Sequence, residues 1–166
     1  MANIFLNAGE RFLTSNYSYV FGRMGNLTET IAIDGLPTVI VDQQIERVEL
    51  ASKMSAYRFA LQGNQAFVYR DQYLLAKIGI QSDADGTRLA FADGAAQLKI
   101  AALNQATLGG QALHTPPTAL TPTELGTQFD TTDKTTIVNT QTGADSIILV
   151  GYSQPAPIEQ VDFFSL

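Results

Sequence analysis

The chain contains no cysteine and no tryptophan, and a single histidine, His114. Without cysteine there is no disulfide, no thiolate nucleophile and no Cys-ligated metal. One imidazole alone builds no Cys/His cluster, and no Gly-x-Ser-x-Gly elbow offers it a serine to activate, so His114 reads as a surface or connector residue. Charge is also scarce, at 16% of residues against about 25% in ordinary soluble domains. No two of the ten basic residues adjoin, and sixteen acids give a net charge of −6, which excludes the phosphate-neutralising stripe of a nucleic-acid binder. No apolar run approaches the length of a membrane-spanning helix. Met1 to Arg11 has neither a basic n-region nor an apolar h-region, so a cleaved N-terminal signal peptide is not expected. Gly22-Arg23-Met24-Gly25 lacks the Lys-Ser/Thr of a phosphate loop. These absences leave no nucleophile–base pair and point away from an enzyme.

What remains is a succession of short β-type segments broken by Asp-Gly, Gly-Asn or Pro. Tyr17, Tyr19 and Phe21 share one face of a strand by period two. Thr28 to Ile33, Thr38 to Val41 and Ile45 to Leu50 follow, so short and so close together that they resemble rungs of a coil. From Tyr57 the hairpin grammar is clear: Tyr57 to Leu61 and Ala66 to Tyr69 flank Gln62-Gly63-Asn64-Gln65, and Asp93-Gly94 turns Arg88–Ala92 back into Gln97–Ala101. Ala106 to Leu113 reads as one more tight hairpin. Only Ile45 to Tyr57 and Gln97 to Ala106 could seat short helices, and both lack good caps. The expected fold is all-β: an antiparallel β-sandwich, jelly-roll-like, with a coil-like N-terminal portion and few or no helices. Its organisation would be a β domain over 1–113 with an N-terminal strand segment, a Pro-rich connector over 114–123 without ladder donors, and C-terminal strands and tail over 124–166.

Three candidate sites stand out. Asp83, Asp85 and Asp93 lie around turn glycines and could converge oxygens on calcium, against the plainer reading of an Asx-type turn. Glu46 and Glu49, with Arg47, suggest paired carboxylates for glycoside hydrolysis, but on a strand the two glutamates point to opposite faces, so a solvated edge is expected. Tyr17, Tyr19, Phe21, Phe59, Phe67, Tyr69 and Tyr73 could form a sugar-binding platform, against core and cross-strand packing.

The stretch Asn26 to Leu50 (NLTETIAIDGLPTVIVDQQIERVEL), with Tyr57 to Phe59, Gln81 to Gly94 (QSDADGTRLAFADG) and Ala106 to Leu113 (ATLGGQAL), resembles a β module of large bacterial surface and repeats-in-toxin proteins. The resemblance covers roughly residues 19–113. It implies export by type I secretion under a C-terminal signal, often with calcium-driven folding outside the cell, and the tail Val161-Asp162-Phe163-Phe164-Ser165-Leu166 is similar to that family's ending. The chain holds none of the family's Gly-Gly-x-Gly-x-Asp nonapeptides. The expectation is therefore a non-enzymatic, secreted structural protein of a bacterial cell surface or extracellular matrix. It would self-associate into a homo-oligomer or filament by strand exchange through Ala2 to Leu6 and Ser146 to Leu166, against the plainer reading that both ends pair within their own chain, with calcium as a possible cofactor. The alternative is a carbohydrate-binding or adhesin-type β-sandwich module with surface polysaccharide as partner.

Overall fold

A computed structural model describes residues 2–23, 28–36, 38–83 and 85–121, together with the backbone of 137–138 and 147–149. The fold is all-β and sandwich-like, in two mixed sheets. Among the described residues the one helical element is a 3-10 turn at Met54–Ala56.

The first six strands are β1 (Ala2–Phe5), β2 (Arg11–Thr14), β3 (Ser18–Phe21), β4 (Thr30–Ile33), β5 (Val39–Val41) and β6 (Arg47–Leu50). They alternate between the sheets: β1, β3 and β5 stack in parallel in sheet A, and β2, β4 and β6 do so in sheet B. This is the coil that the short, closely spaced segments suggest. Each rung repeats the same corner bond, with Thr30 N–H donating to the Glu10 carbonyl, Arg47 N–H to Glu29 and Arg88 N–H to Glu46. Alternate residues point inward, so Ile4, Val20 and Val41 face Phe12, Ile31 and Val48, all buried. All four residues of β4 are buried, as expected of a parallel strand covered on both faces.

The antiparallel half follows. In sheet A, β7 (Tyr57–Gln62), β8 (Gln65–Arg70) and β9 (Tyr73–Gly79) form a meander, with β9 laid parallel against β5. In sheet B, β10 (Thr87–Phe91) lies parallel to β6 and leads into an antiparallel run of β11 (Gly94–Ala102), β12 (Gln105–Leu108) and β13 (Gln111–Ala112). Tyr57, Phe59 and Phe91 form an aromatic cluster inside, with Phe59 edge-on to Phe91 at 6.1 Å.

The edges are closed by two different devices. The stretch after β13 crosses from sheet B to sheet A: Leu113 N–H donates to the Ala106 carbonyl, and Leu61 N–H on β7 donates to that of His114. Phe59 and Thr118 exchange two backbone bonds of 2.9 Å. Thr118 is thus a ladder donor inside the proline-rich stretch that was expected to have none, because Pro116 and Pro117 leave the next N–H intact. At the opposite edge, β14 (Ile137–Val138) runs parallel beside β2 and β15 (Ile147–Leu149) runs parallel beside β1. The remainder of the expected C-terminal strands, including 127–132, lies outside the described residues.

Gly86 shows how tightly the two halves are joined. Its φ is +64°, and a Cβ there would sit 2.2 Å from the Leu98 carbonyl oxygen on β11. Gly86→Ala should therefore lower the unfolding free energy by at least about 2 kcal/mol in urea denaturation. A variant as stable as the parent would contradict this packing.

Candidate functional site

Parallel register sorts the outer faces into rows. On sheet B, Arg11, Thr30, Arg47, Arg88 and Gln97 align across five strands, and Leu13, Ala32, Glu49, Ala90 and Ala95 align beside them. Glu49 is 3% exposed, and both its oxygens are engaged. Arg11 Nε donates to Oε2 at 2.8 Å with Nη2 2.7 Å from the same oxygen, while Arg47 Nε lies 3.0 Å from Oε1. That last contact is an ion pair whose angle falls outside hydrogen-bond geometry, and Arg47 Nη2 is buried without a bond. The solvated edge expected for Glu49 is therefore not what forms. β6 is flanked by β4 and β10, so its outward face is central, and a charge there must be paired. Glu49→Ala would leave two half-buried guanidinium groups short of their counter-charge. It should cost about 3 kcal/mol, measured by chemical denaturation.

A second row precedes the first. Glu10, Glu29 and Glu46 occupy the same position in successive rungs, each one residue before Arg11, Thr30 or Arg47. Glu29 is buried, and its Oε1 has no partner. Burial pushes its carboxyl above the ordinary glutamate value, and the charges of Glu46 and Glu10 push the same way against backbone N–H bonds from residues 29 and 23. A raised folded-state value means that the folded protein holds this proton more tightly than the unfolded chain. Stability from this group is then lost as pH rises through the folded value. Glu29→Gln should accordingly raise unfolding free energy at neutral pH. The gain should shrink as pH falls from the raised value toward the ordinary glutamate value and vanish below it; a gain independent of pH would refute the assignment.

The three aspartates are not brought together. Asp83 and Asp85 lie in the loop before β10 and Asp93 in the turn after it, roughly 20 Å along the strand. Asp83 Oδ1 accepts the Gly86 N–H at 2.6 Å, the Asx-type turn, and Asp93 Oδ1 accepts the Met54 N–H at 2.9 Å. Gln97 Nε2 binds the Asp85 carbonyl. No group of three or more His, Cys, Asp or Glu side chains is placed to hold a metal among the described residues. His114 is exposed and borders a cavity of about 530 Å3 with Leu61, Asn104, Gln105 and Leu113.

The aromatic residues divide. Phe59 is core, whereas Tyr17, Tyr19 and Phe21 stand on the outer face of sheet A, where Phe5 joins them. Phe67 lies on the same face under Lys77, whose Nζ is 5.4 Å from its ring centroid. Tyr69 is half-buried, and Tyr73 is exposed. The Phe5 and Phe21 rings are 5.0 Å apart at 17°, and Tyr17 meets Tyr19 edge-on at 6.1 Å. Hydrogen bonding to Tyr19 holds the Tyr17 hydroxyl above its ordinary value. Sequence reasoning had singled out Arg47 beside Glu46 and Glu49, but not Phe5 or Arg11.

No family model, curated protein or solved structure matches the chain. No helix of the described residues is long and apolar enough to cross a membrane.

Proposed function

We propose that the protein is a non-enzymatic structural protein of a bacterial cell surface or extracellular matrix, and that it works by associating with further copies of itself. The observation that carries this reading is the closure of the coil's N-terminal end. The ladder positions of β1 and β2 are filled by three and two residues from more than a hundred positions further along the chain. A cap that is short and remote in sequence can be supplied by a neighbour at little cost, because the same ladder forms either way. Reciprocal exchange closes a dimer, and exchange that does not close makes a filament. Export by a type I route and folding in external calcium belong to the reading through the resemblance of residues 19–113. The parallel coil of β1 to β6 supports that resemblance, since nonapeptide-repeat proteins build parallel coils. A polysaccharide-binding module is the alternative, resting on the exposed Tyr17 and Tyr73.

Sedimentation across a wide concentration range, with electron microscopy of the same samples, tests the proposal. Species larger than the 17.9 kDa chain should grow with concentration. In β15, Ile147→Pro with Ile148→Pro removes two successive N–H groups, one of which must face β1, and should abolish that growth. A monomer at every concentration that is retained on a polysaccharide column would favour the alternative.

A further inference from the structure

We propose that the outer face of sheet A, over β1, β3 and β5, is a contact surface for the same face of a second copy of this chain. The inference rests on the self-association reading and names a surface for it separate from strand exchange.

Buried parallel strands leave little outward surface open, and the central strands of sheet B meet that condition better than those of sheet A. Ala32, Glu49, Ala90 and Ala95, on the outer face of sheet B, are 0–4% exposed. On the corresponding face of sheet A, Phe5 is 47% exposed and Tyr17 41%. Large aromatic groups left open on an ordered sheet mark an interaction surface more often than chance exposure.

Three observations select a second copy as the occupant. First, β1, β3 and β5 place Asn3, Phe5, Tyr19, Phe21 and Ile40 outward, with no charge among them. Two copies each carrying −6 repel over most of their surfaces, and this face is where like can meet like without that penalty. Second, the ring geometry disfavours a sugar. Rings lying side by side in one plane could not approach to 5.0 Å, so Phe5 and Phe21 stand face to face and present edges to solvent. A pyranose needs an open aromatic face, whereas upright rings in contact offer a ridge of edges along which a second such ridge can lie. Third, the area fits a modest contact. Sheet A over β1, β3 and β5, bordered by Lys77 on β9, spans roughly 15 by 15 Å of flat surface, well under the ~800 Å2 per partner of a permanent complex. The dimer is therefore concentration-dependent and isologous, with Phe5 and Phe21 near its twofold axis.

The test uses the full chain in three forms: the parent, Phe5→Lys with Phe21→Lys, and Phe5→Glu with Phe21→Glu. Sedimentation should show the parent self-associating and each charged variant weakened about a hundredfold, as loss of a central aromatic anchor predicts. An equimolar mixture of the Lys and Glu variants should recover association, which misfolded variants could not do. The Ile147→Pro, Ile148→Pro chain should keep this dimer while losing larger assemblies. If the parent assembles and the charged variants assemble equally well, this surface is wrong and the self-association reading stands. A parent that is monomeric throughout overturns both, and a mixture that fails to recover overturns the surface.

Discussion

Stacking parallel strands in register sets each residue against its equivalent in the next rung, about 4.8 Å away, and the rest of the molecule follows from that constraint. Inside the coil the rows are apolar apart from Thr14 and Ser18, which bond each other, and repetition is favourable because Ile, Val and Phe pack against their own kind. Outside, a repeated charge would repel along its whole row. The arginine row is interrupted by Thr30 between Arg11 and Arg47, and although Arg47 and Arg88 remain neighbours in it, Glu49 sits one row over, where it reaches both Arg11 and Arg47. The row Glu10, Glu29, Glu46 has no such relief, and its middle member is the one whose carboxyl is pushed upward.

A coil has ends, and its two ends here are closed with unequal strength. At the β7 edge, Phe59 and Thr118 are bonded in both directions and the Leu61 N–H is taken by His114, with prolines alongside that discourage any further strand. At the other end, β1 and β2 each receive only two or three residues, from a part of the chain that must first be brought back across the molecule. Loop closure grows only slowly with length, so the difference lies less in entropy than in the few ladder positions gained. That imbalance supports a role in which this end, and not the proline-flanked one, takes part in assembly.

Much of this fold was legible in the sequence. The hairpin at Gly63-Asn64 announces itself because a two-residue turn with the right glycine fixes both register and direction, whereas Asp93-Gly94 marks the second hairpin but not its register, since the turn is Ala92-Asp93 and Gly94 already pairs with Phe91. The direction of β1 to β6 was harder to read, since period-two alternation identifies a strand and its buried face but not its partner. A signal was present: Glu10-Arg11-Phe12-Leu13, Glu29-Thr30-Ile31-Ala32 and Glu46-Arg47-Val48-Glu49 are one motif, repeated at intervals of nineteen and seventeen residues. Unequal spacing and the change of Arg to Thr hide it from a search for identity, while the structure aligns all three. The candidate sites failed for a related reason. Asp85 and Asp93 are near in sequence, but the intervening residues are an extended strand, the conformation that carries neighbours furthest apart. Glu49 looked like an edge residue until β10 was known to close over β6.

The two outer faces then differ in a way that composition alone could not disclose. The antiparallel strands β7 and β8 tolerate water on one side, as such strands commonly do, and Arg58 and Gln62 face it there. The outward alanines of the parallel strands of sheet B are buried. On the parallel strands of sheet A, Phe5 is exposed and Tyr19, Phe21 and Ile40 are half-buried, uncharged residues in a chain whose net charge is strongly negative. A solvated face would more economically be built from the Thr, Gln and Asn that cover so much of this protein. Phe5, Tyr19 and Phe21 are instead held in mutual contact at fixed angles, so the entropy of ordering them has already been lost within the monomer. Little ordering would remain for a partner to impose, and preorganisation of that kind lets a small contact area suffice for association.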